Sequence, residues 1–203
     1  MKTMQFVETI KIEDGKALNL NFHQARMEST MRHFFPHTPV PMLSGVLSPT
    51  PDMHFYKARV VYGEQGVEEV QYAPYAMREI RSLKLVEDNE IDYSFKSTDR
   101  THLNRLTAQK GDCDEVLIVK NGLLTDTSFT NVAVFDGERW LTPRHPLLLG
   151  TKCASLLEKH VLKEADISVE TLMKAQKVSL INAMIDLGEI EISIANVIRV
   201  DRY

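Results

Sequence analysis

The chain has 203 residues, 43% of them hydrophobic and 26% charged, with a formal net charge of −4. This is the composition of an ordinary globular protein, long enough for one generous domain or two small ones. The acidic balance, with only short basic runs, excludes an electrostatic nucleic-acid binder, and no apolar stretch nears the roughly 20 residues that span a bilayer. Residues 1–5 lack the apolar core of a signal peptide, and two cysteines, Cys113 and Cys153, are too few for a secreted disulfide scaffold. The expected setting is cytoplasmic, with both thiols free.

In chain order, Phe6 to Ile12 alternates and is rich in β-formers, and Asp14-Gly15 then marks a turn. A return strand over Ala17 to Leu20 leads into a helix from Asn21 to about Phe35, where Asn21 and Gln24 form a capping box and Pro36 closes the helix. Five prolines in and around 37–52 forbid regular structure and predict a surface loop. Strands follow at Tyr56 to Tyr62 and Val67 to Gln71, then a short helix over Tyr75 to Leu83 and a polar connection over Val86 to Glu90. A boundary near residue 85 divides a small N-terminal α/β lobe (1–85) from a larger β-rich lobe with helices (86–203).

Ile91 to Lys96 alternates and reads as a strand, with Asp92, Ser94 and Lys96 on one face. A helix over Thr101 to Gln109 precedes a β-meander: Val116 to Lys120, Leu123 to Asp126, Asn131 to Phe135 and Arg139 to Thr142. Its turns, Asn121-Gly122 and Asp136-Gly137, are dipeptides that type I′ hairpins prefer. A helix starts at Thr151 after Gly150, a second begins at Ser168, and Val178 to Ile181 is a buried strand. The mixture indicates an α+β or mixed α/β fold.

The seven histidines and two distant cysteines are read as making no metal site, and neither a G-x-S-x-G elbow nor a phosphate loop occurs. Three features remain: Lys96, Asp126 with the polar run 127–131, and the Gly150-Thr151 helix start. Singly, each reads as a surface lysine, a turn acid and a helix cap. Together they suit pyridoxal phosphate. That cofactor needs a lysine amine for a Schiff base and a carboxylate for its pyridine nitrogen. Its phosphate needs backbone N–H donors of the kind a helix start offers.

On these residues the sequence resembles the class IV aminotransferases and aminodeoxychorismate lyases, which are fold-type IV pyridoxal-phosphate enzymes. Phe6-Val7-Glu8-Thr9, Asp14-Gly15-Lys16 and Leu20 to Met27 are similar to the family's F-x-E-T…D-G-K…L-x-x-H-x-x-R-L start. The match implies that Arg26 grips the cofactor phosphate. Phe95 to Arg100 is similar to the H-K-T-T-x-R segment, which makes Lys96 the lysine bonded to the cofactor. Asp114 to Gly122 resembles D-E-x-L-L-x-N-x-x-G. The family's glutamate four residues later, partner of the pyridine nitrogen, falls on Asp126. Aspartate is one methylene shorter, so either the strand sits closer or water bridges the contact.

Trp140 to Pro143 matches x-x-T-P, and Leu148 to Lys152 resembles the L-x-G-I-T-R loop with Thr151-Lys152-Cys153 in place of Ile-Thr-Arg. Backbone donors at Gly150, Thr151 and Lys152 tolerate that change. Ile181 to Met184, containing Asn182 and Ala183, resembles the C-N-A-L segment of aminodeoxychorismate lyases, the second phosphate-side loop. The chain is shorter than the family's usual length, opening near the middle of the usual first domain. The helix after Lys96 is abbreviated, and both changes would reshape the substrate entrance.

The resemblance thus implies a two-lobed fold-type IV enzyme with the cofactor between its lobes, acting as a homodimer on a small molecule. The reaction it favours is conversion of 4-amino-4-deoxychorismate to 4-aminobenzoate and pyruvate, a step of folate biosynthesis. The alternatives are an aminotransferase acting on branched-chain or D-amino acids, and a pyridoxal-phosphate-binding protein without turnover.

Overall fold

The structure is a computed structural model and describes residues 4–199. Residues 1–3, part of the opening stretch read against a signal peptide, lie outside the described residues. The chain forms two compact units: residues up to Met77 together with Phe95–Asp99, and Arg78–Ser94 together with the chain from Arg100 onward.

The first unit is an antiparallel sheet under a helix. Strand β1 (Phe6–Glu13) turns through Asp14-Gly15, both with positive φ, into the two-residue β2 (Lys16–Ala17). Helix α1 (Leu20–Phe34) and the four-residue α2 (Leu43–Val46) precede β3 (Phe55–Gly63) and β4 (Gly66–Pro74). The sheet order is β2-β1-β3-β4. Alternation on β1 sends Phe6, Glu8, Ile10 and Ile12 inward, and Ala58, Val60 and Tyr62 of β3 do the same. Met27 and Met31 of α1 pack on that face, four residues apart.

The helix starts differently from its expected cap. Asn19, in the left-handed region, is the N-cap, and its side chain makes no cap bond. Gln24 instead uses its amide to hold the proline-rich loop, donating to the Pro41 carbonyl and accepting from Leu43 N. That loop is irregular except for α2.

The second unit opens with β5 (Leu83–Glu87), where the sequence suggested a helix end and a polar connection. The Asp114 carboxylate accepts from Arg81 N and Ser82 N, drawing the chain into an extended entry rather than a helical turn. Helix α3 (Thr101–Thr107), continued by a 3-10 turn over Ala108–Lys110, leads to β6 (Glu115–Lys120). Then come β7 (Leu123–Thr127), β8 (Asn131–Phe135), β9 (Trp140–Pro143), α4 (Thr151–Glu158), β10 (Leu162–Ala165), α5 (Val169–Leu172) and β11 (Lys177–Ile181). The chain ends its described part with β12 (Glu191–Ser193) and β13 (Val197–Ile198).

Among the described residues this sheet has nine strands, running β10-β9-β8-β7-β6-β5-β13, with β11 paired to β8 and β12. The expected meander is present. Asn121 and Gly122 both take positive φ, as a type I′ turn requires. The Asp136-Gly137 turn is wider than expected: Asp136 keeps negative φ and its carboxylate accepts from Glu138 N and Arg139 N, making a four-residue Asx-type loop. Cys113 and Cys153 are free and buried. Among the described residues, no helix is long and apolar enough to cross a membrane.

The expected strand over 91–96 does not form. Ile91 to Ser94 belong to the second unit and Phe95 to Asp99 to the first, so the apolar alternation marks a crossing segment that serves two cores in turn. Asp92 accepts from Ser94 N and bends the chain at the crossing.

Candidate active site

Lys96 is fixed by its neighbours on both sides. Phe95 packs its ring against Phe34 at 4.8 Å and stacks on His33 at 4.8 Å, both on α1. The Lys96 carbonyl accepts from Val7 N at 3.0 Å, Ser97 bridges to Phe6, and Thr98 N donates to the Gln5 carbonyl at 3.0 Å. Residues 95–98 therefore run antiparallel along the start of β1, and the half-buried Lys96 stands opposite Val7.

Glu8 is the anomaly of the first unit's core. It sits on the apolar face of β1 with no side-chain exposure, yet both its oxygens are engaged. Arg26 forks onto them, Nε donating to Oε1 at 2.9 Å and Nη2 to Oε2 at 2.6 Å. His23, one turn earlier on α1, bonds Oε2 through Nδ1 at 2.6 Å. Burial by itself would raise the Glu8 pKa. The Arg26 charge and the hydrogen bonds from His23 and Arg26 outweigh it and hold the carboxyl at about 2.

An ionised carboxylate only accepts, so His23 Nδ1 carries the shared proton. Burial pushes the His23 pKa below the usual imidazole value; the bond to Glu8 opposes this, and the charges of Arg26 and Lys96 reinforce it. His23 is thus a neutral donor, and Lys96 lies within electrostatic reach of its ring. Tyr62 completes the cluster from β3. Its hydroxyl is buried and makes no hydrogen bond of standard geometry among the described residues, although the Thr30 hydroxyl, which donates to the Arg26 carbonyl at 2.9 Å, lies near enough to favour the Tyr62 anion. Burial first, and then the Glu8 charge, raise the Tyr62 pKa.

The second unit contributes a bracket around Asp126, which is buried near the end of β7. Its Oδ1 accepts from Asn131 Nδ2 at 2.7 Å and its Oδ2 from Leu148 N at 3.0 Å. The same Asn131 Nδ2 also donates to the Leu148 carbonyl at 2.8 Å, and Asn131 Oδ1 accepts from Gly150 N at 2.9 Å. A side chain at 150 would drive its Cβ into that Asn131 oxygen, so glycine is required by close approach.

Gly150 caps α4, whose ladder begins with Ala154 N donating to the Gly150 carbonyl. The N–H groups of Thr151, Lys152 and Cys153 precede that ladder and point out of the helix start. Lys152 pairs with Asp186, which ties α4 to the loop begun by Asn182 and Ala183. Asn182 closes that loop by accepting from Met184 N at 2.8 Å and Ile185 N at 3.1 Å, and its Nδ2 donates to the Phe129 carbonyl at 3.3 Å.

The sequence-derived residues therefore fall into two groups, each internally connected. Arg26 and Lys96 share the first unit's cluster. Asp126, Gly150, Thr151, Lys152, Asn182 and Ala183 share the second unit's network. Three residues essential to these arrangements had no role assigned from sequence. Glu8 and His23 lay inside the quoted opening motif, and an acid on the inward face of an alternating strand was the available signal. Asn131 read only as a strand start.

Residues 65–192 match the model of the amino-transferase class IV family. An uncharacterized protein of Haemophilus influenzae is 36% identical over 181 residues, covering 87% of this chain and 96% of its own length. The crystal structure of a candidate 4-amino-4-deoxychorismate lyase from Haemophilus somnus is 35% identical with a TM-score of 0.84, covering 92% of this chain and 100% of that one. A hypothetical aminotransferase of Mycobacterium tuberculosis in its pyridoxal-phosphate-bound form has the same fold at 17% identity, with a TM-score of 0.73 over 97% of this chain and 84% of that one. This chain therefore belongs to the class IV aminotransferase family of enzymes and has that family's mixed α+β fold.

Proposed function

We propose that the protein is a pyridoxal-phosphate-dependent lyase that converts 4-amino-4-deoxychorismate to 4-aminobenzoate and pyruvate, a step of folate biosynthesis, as a cytoplasmic homodimer. The observation that carries this reading is the 35% identity, over the full length of that structure, to the candidate lyase of Haemophilus somnus.

The donor set suits the cofactor. Arg26 presents a guanidinium already aligned by Glu8, and α4, whose cap Gly150 spends its own N–H on Asn131, offers the N–H groups of Thr151 and Lys152 and a positive dipole end to a phosphate. The turn at Asn182 and Ala183 is braced against α4 through Asp186 and Lys152. Asp126, held by Asn131 Nδ2 and Leu148 N, presents a carboxylate, the acceptor type that a pyridine ring N–H requires. When bound, pyridoxal phosphate supplies an electron sink conjugated to the substrate amine.

The chain's own residues supply the rest. Lys96 would hold the cofactor, and its amine would be released for proton transfer once substrate is bound. Its freed amine takes the proton from the ring carbon that carries the substrate nitrogen. Asp126 would pair with the pyridine nitrogen of the bound cofactor and favour its protonated form. The bond from the ring to the enolpyruvyl oxygen breaks, the ring becomes aromatic, and Lys96 returns its proton to the methylene carbon of the leaving enolate, giving pyruvate.

An aminotransferase reading uses the same residues and has in its favour the family match over 65–192. Incubation of the purified protein with the cofactor separates the two. The lyase reading expects 4-aminobenzoate and pyruvate in equal amounts from 4-amino-4-deoxychorismate. Amine exchange between amino acids and 2-oxo acids, without 4-aminobenzoate, would overturn it in favour of the aminotransferase. Cofactor binding with neither product would leave a binding protein without turnover.

A further inference from the structure

We propose that Glu8 and His23 are positioning residues that aim Arg26 at the phosphate of the bound cofactor, an inference that rests on the cofactor reading above. A helix arginine ordinarily samples many rotamers. A side-on fork from Nε and Nη2 to one carboxylate fixes the guanidinium plane and turns its opposite edge, built on Nη1, away from Glu8.

The burial gradient runs the same way. The Glu8 side chain is 0% exposed and that of His23 1%, while Arg26 reaches 14%, so the cluster meets the surface of its unit through the guanidinium. His23 completes the carboxylate's hydrogen bonding with a neutral donor. The carboxylate is held without a second cation competing with Arg26 for it.

A purely structural role explains this arrangement less well. Buried ion pairs add little net stability over apolar residues of the same volume. The rest of the β1 inward face is Phe6, Ile10 and Ile12, where such a residue would fit.

The test compares affinities for pyridoxal phosphate and for pyridoxal, its phosphate-free counterpart, followed by cofactor absorbance on the folded protein. Glu8→Gln is expected to weaken pyridoxal phosphate about tenfold while changing pyridoxal less than twofold, because the loss of a charge-assisted clamp is felt where Arg26 meets the phosphate. Equal weakening of both ligands, or no change in either, would overturn the positioning role. Should Glu8→Gln fail to fold, the pair His23→Asn and His23→Leu decides. Asparagine keeps a donor near the Nδ1 position and should retain phosphate selectivity, and leucine should lose it; indistinguishable variants overturn the proposal. Wild-type protein that does not prefer pyridoxal phosphate over pyridoxal would sink the cofactor reading itself. A wild-type preference left intact by every variant would sink only the roles of Glu8 and His23.

Discussion

Asn131 donates one amide nitrogen to both Asp126 Oδ1 and the Leu148 carbonyl, while its oxygen receives Gly150 N. One side chain thereby sets the distance between a buried carboxylate on β7 and the start of α4. Aspartate is a methylene shorter than glutamate, and a short side chain has fewer torsions to hold. The bracket removes most of the freedom that is left.

Replacing Asn131 with alanine would strand Gly150 N and take a donor from both Asp126 and Leu148. The expected loss is about 2–4 kcal/mol of unfolding free energy, in the range for buried hydrogen-bond networks. Asn131→Asp should cost more, because a second carboxylate would face Asp126 and the Leu148 carbonyl. Urea denaturation checks the order; an Asn131→Asp protein as stable as the wild type would contradict it.

The Tyr62 hydroxyl is buried without a partner among the described residues. Tyr62→Phe removes an undischarged desolvation cost and leaves the ring packed against Phe6, whose centroid is 6.0 Å away. The variant is expected to be neutral or up to about 1–2 kcal/mol more stable. A loss greater than 1 kcal/mol in the same urea assay would mean that the hydroxyl has a partner in solution, such as an ordered water.

Acid should act through Glu8 and His23 in sequence. Both have folded-state pKa values below their unfolded ones, so each contributes stability that is complete above its unfolded pKa and lost as pH falls. For His23 the loss starts as pH drops below about 6.5, where the unfolded ring takes a proton that the buried one refuses. For Glu8 it runs from the ordinary carboxyl value of 4.5 down to about 2, a contribution on the order of 3 kcal/mol. Stability measured from pH 7 to pH 3 should fall in both stretches, and Glu8→Gln should flatten the lower one. An unchanged slope below pH 4.5 in that variant would contradict the assignment.

Much of this molecule was legible in its sequence because local signals and tertiary structure agreed. Asn121-Gly122 dictated its turn, and Val132, Val134 and Phe135 favoured the strand that Asn131 to Phe135 forms. Where they disagreed, tertiary contacts decided. The 91–96 alternation looked like a strand, yet its apolar residues serve two different cores. Gln24 looked like a capping residue, yet its amide holds the proline loop. Lys96, Arg26 and Asp126 were singled out as candidates through motif order. Their supports were not, because Glu8, His23 and Asn131 act through distances that only the folded chain sets.

Borohydride reduction of the protein loaded with pyridoxal phosphate, followed by peptide mass spectrometry, tests the central claim most directly. The expected product is one phosphopyridoxyl group, carried by Lys96, with no lysine Schiff-base band in the Lys96→Ala variant. A label on another lysine, or a band that persists when Lys96 is alanine, would contradict it.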